Sequence, residues 1–161
     1  MGAGKSSIGK QLASRTKKKF LDSDSEIEQR TGAKIDLIFE IEGESGFRKR
    51  EVQVISELTE LNNIVLSTGG GAVLMEQNRQ NLKNRGIVVY LKAPPELLMK
   101  RTEKDKNRPL LQTEDRLQKI KELMQLREPF YEEIADIIID TQDQTITQIV
   151  KIIRERISAN A

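Results

Sequence analysis

Apolar positions along the chain alternate between helical spacing and short continuous runs. Over residues 4 to about 17, Ile8 and Leu12 share one helix face. The stretch ends in Lys17, Lys18 and Lys19, where cations suit the negative end of a helix dipole. Phe20, Leu21 and Asp22 form a short strand running into a turn. Ser23, with Glu26 three residues on, makes the capping box of a second helix that Gly32 closes. Ile35, Ile38, Phe39 and Glu42 carry a further helical stretch interrupted at Gly43 and Gly46. The next helix spans about 47–61, with Val52, Ile55, Leu58 and Thr59 facing inward.

Residues 64–68 make a strand that ends in Gly69, Gly70 and Gly71, and a helix over about 74–85 stops at Gly86. Residues 87–91 are the clearest strand, and Pro95 suits the start of the helix after it. A polar stretch over 103–108 precedes a long charged helix from about 114 to 126. Arg127 stands just before Glu128 and Pro129, so that helix is expected to end there. Residues 137–140 are the last strand and 146–157 the last helix. Short apolar strands separated by helices imply a parallel sheet covered on both faces, and nothing divides the chain into parts, so it reads as one α/β domain.

Composition narrows the chemistry. The 161 residues include no Cys, no His and no Trp, which removes thiol and histidine nucleophile systems and the ordinary zinc sites. Reaction must run on Asp, Glu, Lys, Arg, hydroxyls and backbone amides, with a hard cation held by oxygen. Charged residues are 32% of the chain but nearly balance, 27 basic against 25 acidic, and only 4% of residues are aromatic. A nucleic-acid partner is therefore not expected. No apolar run approaches the roughly 18–20 residues that span a bilayer, so no membrane association is expected and the cytoplasm is the expected compartment.

The strongest chemical signal is Gly2-Ala3-Gly4-Lys5-Ser6, the second half of a phosphate-binding loop. Its glycines let backbone amides turn toward phosphate oxygens. Lys5 can reach the β- and γ-phosphates, Ser6 can ligate Mg²⁺, and the helix that follows points its positive end at the anion. Asp22-Ser23-Asp24 lies at the carboxyl end of a strand, where open parallel sheets place ligands. Beside a phosphate loop, one carboxylate can hold water on Mg²⁺ while the other orients and deprotonates an acceptor hydroxyl. The three glycines at 69–71 allow a substrate close to the backbone. Arg108, before Pro109-Leu110-Leu111, stands in a polar loop with the character of a mobile lid. Arg48, after Phe47 at an expected helix start, is placed where a cation is usually disfavoured.

Together these residues resemble the shikimate kinase family. The resemblance runs from Met1 to about Asp143 through Gly2-Ala3-Gly4-Lys5-Ser6, Asp22-Ser23-Asp24, Glu42-Gly43-Glu44-x-x-Phe47-Arg48, Thr68-Gly69-Gly70-Gly71, Arg108-Pro109-Leu110-Leu111 and Arg127-x-Pro129-x-Tyr131. It implies a three-layer P-loop kinase fold on a five-stranded parallel sheet, with a substrate-binding helical region at about 23–61 and a lid loop at about 103–116. The implied activity is transfer of the γ-phosphoryl group of ATP to the 3-hydroxyl of shikimate by a monomer.

By the same resemblance Gly2, Ala3, Gly4, Lys5, Ser6 and Ser7 hold the phosphates. Ser6 and Asp22 serve Mg²⁺, and Asp24 binds and deprotonates the acceptor. Arg48 and Arg127 clamp the substrate carboxylate, and Gly70 and Gly71 offer backbone contacts. Phe39, Phe47 and Glu51 line and support the pocket, Arg108 closes over the transferred phosphate and Arg101 stands beside the adenine. Family members carry a strand and a further glycine ahead of the position of Met1, so the first strand is expected to be absent from this sequence. Two rivals remain: another small-molecule kinase such as a gluconate or nucleotide kinase, and a non-catalytic nucleotide-binding protein. A GTPase is not expected, because the guanine signature Asn-Lys-x-Asp occurs nowhere in the chain.

Overall fold

Consecutive apolar residues on β-strands point to opposite faces, and here each face is met by its own pair of helices. The computed structural model describes residues 2–106 and 108–161. In chain order the elements are α1 (Lys5–Thr16), β1 (Lys19–Asp22), α2 (Ser23–Thr31), α3 (Ile35–Leu58), β2 (Ile64–Ser67), α4 (Glu76–Arg85), β3 (Val89–Lys92), α5 (Pro95–Thr102), α6 (Arg116–Ile134), β4 (Ile137–Asp140) and α7 (Ile146–Ala159). Short 3₁₀ turns cover Gly70–Leu74 and Pro109–Leu111. Val65 of β2 packs with Ile8 and Leu12 of α1 and Ile149 and Ile153 of α7. Its neighbour Leu66 packs with Ile27 of α2 and Phe47 and Val54 of α3. A third cluster joins Leu98 of α5 to Ile120 and Leu123 of α6. The result is a three-layer α/β arrangement in which all described strand pairs are parallel. No described helix is long and apolar enough to cross a membrane.

The strands form two pairs. β1 lies beside β2 from Lys19 opposite Ile64 to Asp22 opposite Ser67, and β3 lies beside β4 from Val89 opposite Ile137 to Lys92 opposite Asp140. Among the described residues β2 and β3 share no ladder. Between them lies a cavity of about 800 Å³, lined by Val65, Leu66, Val89 and Leu91 and by Ile8 and Leu123 from the helices. This accounts for one departure from expectation. Apolar strand runs ought to be fully buried, yet Ile64, Val65, Leu66, Val89 and Leu91 are only half-buried because they face that cavity.

Five other details differ from the sequence reading. Asp22, not Ser23, caps α2: its carboxylate accepts from the Ser25 amide at 3.0 Å, while Ser23 is the first helical residue and fully buried. The interruption within α3 falls at Gly43, as expected, where φ 72° and ψ 177° separate two helical stretches, but Gly46 does not interrupt and stays helical. The inward positions of α3 are Val54, Ile55 and Leu58, so Val52 and Thr59 are only half-buried. The third strand begins at Val89, two residues later than expected. The long helix also does not stop before Pro129 but continues through it to Ile134. Pro129 is exposed, so the carbonyl that loses its partner one turn earlier can be met by water, and Arg127 lies inside a helix rather than at its end.

Candidate functional site

Three chain ends converge at the carboxyl edge of the β1–β2 pair: the loop before α1, the start of α2 and the glycine turn after β2. Gly2 and Gly4 take left-handed backbone angles, φ 59° and 87°, that other residues adopt only at a cost. Gly4 caps α1, whose first turn contains neither an acid nor a capping side chain. The leading amides of that helix are therefore left for an anion. Space around the loop is tight, since a Cβ on Gly2 would stand 2.9 Å from Thr102 Cγ2 and 3.2 Å from the Leu98 carbonyl oxygen. Ala3 is buried, while Ser6 and Ser7 are exposed. Arg101, exposed on α5, donates to the Gly2 carbonyl at 3.3 Å and to Thr141 Oγ1 at 3.2 Å.

Lys5 points into this convergence. Burial pushes its ammonium pKa down, and the nearby charge of Arg108 adds to the effect, while Asp24 and Asp22 act against it. Asp24 responds in the opposite sense. Burial raises its carboxyl and Asp22 raises it further, against the cations of Lys5, Arg48 and Arg108. Its Oδ1 is buried with no hydrogen-bond partner, a cost normally met by a ligand or water. Arg108, held by Asp105 through Nε at 2.7 Å, is thus close enough to act on both Lys5 and Asp24.

Ser6 and Asp22 fit a hard divalent cation. The Ser6 hydroxyl donates to Asp22 Oδ2 at 3.2 Å, while Asp22 Oδ1 is engaged by the Ser25 amide. One hydroxyl and one carboxylate beside a phosphate loop are the oxygen donors that Mg²⁺ takes together with phosphate and water.

Beyond Asp24 lie two buried guanidiniums. Arg48 of α3 is 8% exposed and donates to Glu51 Oε1 at 2.9 Å and Glu44 Oε1 at 3.1 Å, with the Phe47 ring 5.3 Å away. Phe39 packs on Phe47 with centroids 4.8 Å apart. Glu51 is fully buried, and burial raises its pKa to about 7 even though Arg48 pulls it down. Arg127 of α6 is 3% exposed and has no ion pair among the described residues, and its Nε is unpartnered. Burial lowers its pKa and Arg48 adds repulsion, so the pocket holds positive charge in search of an anion.

The glycine turn packs directly against these charges. A Cβ on Gly69 would come within 2.9 Å of Asp24 Oδ1 and 3.0 Å of Glu51 Oε2, and one on Gly71 would overlap Arg48. The turn is itself anchored. The Gly69 amide donates to buried Ser23, Tyr131 donates to the Gly70 carbonyl, and buried Asn78 donates to the Ala72 carbonyl.

All the expected site residues are thus described, and most meet in one place. Lys5, Asp22, Asp24, Arg48, Glu51, Arg108 and Arg127 interact electrostatically, Gly70 and Gly71 back them, and Arg101 and Ser7 stand at the outer edge. Sequence reasoning gave Ser23 only a capping role and gave no site role to Glu44 or Tyr131. For Tyr131 the signal was present, since four residues from Arg127 is one helical turn on the same face.

Known proteins with these features can now be set beside the chain. The family model described as shikimate kinase matches residues 1–158. A shikimate kinase of Nitrosococcus oceani is 59% identical over 146 residues, covering 91% of this chain and 77% of its own. One from Pasteurella multocida is 56% identical over 158 residues, covering 95% and 90%. Among solved structures, shikimate kinase from Acinetobacter baumannii in complex with shikimate superposes with a TM-score of 0.97 at 50% identity, over 99% of this chain and 89% of that one.

Proposed function

This chain belongs to the shikimate kinase family, and from that membership we propose that its pocket transfers the γ-phosphoryl group of ATP to the 3-hydroxyl of shikimate, giving shikimate 3-phosphate and ADP. The observation that carries the reading is the pair of buried guanidiniums, Arg48 and Arg127, just beyond a buried and unpartnered Asp24 oxygen. An acceptor that bears both a carboxylate and hydroxyls answers both features. Planar guanidinium forks grip a carboxylate in a fixed orientation, which sets the hydroxyl against Asp24.

The roles then follow from position. The amides of Gly2 to Ser6 and the Lys5 ammonium hold the ATP phosphates, and Ser6 and Asp22 hold Mg²⁺. Bound there, Mg²⁺ neutralises phosphate charge and stabilises the transition state. Asp24 accepts the proton of the attacking hydroxyl. Its raised pKa makes it a stronger base than an ordinary carboxylate. Gly70 and Gly71 offer backbone contacts to shikimate, while Phe39, Phe47 and Glu51 shape and support the pocket. Arg108 leans over the transferring phosphoryl, where a cation stabilises a loose and highly charged transition state. The loop over 103–116 closes to keep water from accepting the phosphate, and Arg101 stands beside the adenine. The reading takes the enzyme to be a cytoplasmic monomer.

Coupled measurement of ADP release with Mg²⁺ and ATP tests the reading, with shikimate, gluconate and nucleoside monophosphates as acceptors. Turnover with shikimate alone is expected. Preference for gluconate or a nucleotide would replace the acceptor, and silence with all of them would leave a nucleotide-binding protein.

A further inference from the structure

Arg108 stands on a loop whose regular structure is one short 3₁₀ turn, Pro109–Leu111, so side-chain contacts must set where its charge lies. Asp105 Oδ2 accepts from Arg108 Nε at 2.7 Å, and the Leu111 amide donates to the Arg108 carbonyl at 3.0 Å. Leu111 is buried with Ala3 of the phosphate loop and Leu98 of α5, which ties the far limb of the loop to the phosphate site. The near limb is tied by Arg116, the first residue of α6. Its Nη2 donates to the Thr102 carbonyl at 2.6 Å and, over a longer 3.4 Å, to the Asp105 carbonyl. Its Nη1 donates to the Glu103 carbonyl at 2.9 Å. We propose that Arg116 is a positioning residue for phosphoryl transfer: its guanidinium fixes the backbone of residues 102–105, and with it the Asp105 carboxylate that aims Arg108. This inference rests on the shikimate kinase reading, in which Arg108 meets the transferring phosphoryl.

The chemistry of the anchor explains why an arginine stands there. Helix α5 ends at Thr102, and the last carbonyls of a helix lack partners and carry its negative end. A guanidinium offers several donors in one rigid plane, so a single side chain reaches three successive acceptors, which a point-charge ammonium does not match. The Asp105 amide also donates to the Thr102 carbonyl at 3.0 Å, so Arg116 clasps a turn that is already closed. Thr102 itself lies against the phosphate loop, since a Cβ on Gly2 would stand 2.9 Å from its Cγ2. The anchor of Arg108 is thereby referred to the same frame that holds the phosphates. Asp105 engages Arg108 through Nε, which leaves the two terminal nitrogens for phosphoryl oxygens. All three Arg116 bonds end on main-chain oxygens, so its effect on the reaction passes through Asp105 and Arg108.

Arg116→Met keeps the packing stem and removes every donor. The kcat with shikimate is expected to fall about ten-fold, the order of one lost hydrogen bond from a charged group. Shikimate KM should stay within about two-fold, because the carboxylate clamp lies on other elements. Arg116→Lys should recover part of the loss. Asp105→Asn, which leaves the Arg116 bonds in place, should lower kcat by a similar factor and add little to Arg116→Met. In an Arg108→Gln background Arg116→Met should also add little, because Arg116 acts through Arg108. An unchanged kcat in Arg116→Met or Asp105→Asn, or full additivity with Arg108→Gln, would overturn the proposal. So would a melting point lowered by more than about 10 °C in Arg116→Met, which would assign Arg116 to the fold. Wild-type turnover is read first. Its absence with shikimate removes the functional reading and this inference together, whereas an active wild type with an indifferent Arg116→Met removes the inference alone.

Discussion

Arg48 occupies the space that a side chain on Gly71 would need: a Cβ there would overlap Nη2 and stand 2.5 Å from Cζ. The glycine turn and the guanidinium are thus complementary surfaces, and the absence of a Cβ is what lets the charge lie flat against the backbone.

Gly71→Ala must therefore displace the Arg48 head group while leaving its charge in the pocket. We expect shikimate KM to rise by roughly ten-fold or more, the order of a lost charge-assisted hydrogen bond. The ATP KM should change little, because the phosphate loop lies on another segment. Steady-state kinetics with each substrate varied in turn would decide it, and an equal effect on both would point to general misfolding.

Asp24→Asn removes the proton acceptor while keeping shape. A fall in kcat of about 10²–10⁴-fold is expected for loss of a general base. ATP affinity, measured by titration without shikimate, should stay within a few-fold. Parallel loss of turnover and ATP binding would instead make Asp24 a structural partner of Lys5.

Glu51 makes stability depend on pH in a direction opposite to ordinary acid denaturation. Its folded pKa is raised from 4.5 to about 7, a shift worth on the order of 3 kcal/mol. A raised carboxyl means that the folded state binds the proton more tightly than the unfolded state. Its contribution is fully present below about pH 4.5 and is lost as pH rises through about 7. Glu51→Gln cannot titrate. Between pH 5 and 8 the wild type should lose roughly 5–10 °C of melting temperature relative to this variant. Identical pH profiles by calorimetry would show that Glu51 does not titrate in that range.

Much of this site could be read from residue order because backbone chemistry enforces it. A glycine-rich turn ahead of a helix, Asp22 and Asp24 beyond a strand, and three successive glycines are local signals whose geometry follows from a few residues. The misreadings had other sources. Pro129 looked like the end of a helix, but burial of Ile134 beyond it helps offset the roughly 3 kcal/mol that an interior proline costs, and the helix runs on. Gly43 and Gly46 look alike in sequence, yet only Gly43 takes a left-handed angle. Ser23 has the composition of a cap, and only the neighbouring Asp22 and the distant Gly69 amide show that its hydroxyl faces inward. The packing of the Gly69–Gly71 turn against Asp24, Glu51 and Arg48, and its anchoring by Tyr131, depend on contacts across elements, which spacing along the chain does not encode.

The cavity between β2 and β3 leads to a prediction about stability. Each of these strands has a ladder partner on only one side among the described residues, and the walls between them are apolar on both faces. Edges like these favour an extended segment running parallel to both, with apolar side chains toward α1 and toward α6. Ala3 and Lys5 also line the cavity, so residues joined ahead of Met1 can enter it. Four or five added apolar, β-branched residues would bury about 1.5–3 kcal/mol of side chain each. Ordering them costs about 1.5 kcal/mol apiece, so a net gain of a few kcal/mol remains. We expect such an extension to raise the melting temperature by roughly 10 °C, and a Gly-Ser extension of equal length to leave it unchanged. Equal behaviour of the two extensions in thermal unfolding would show that the cavity does not accept a strand.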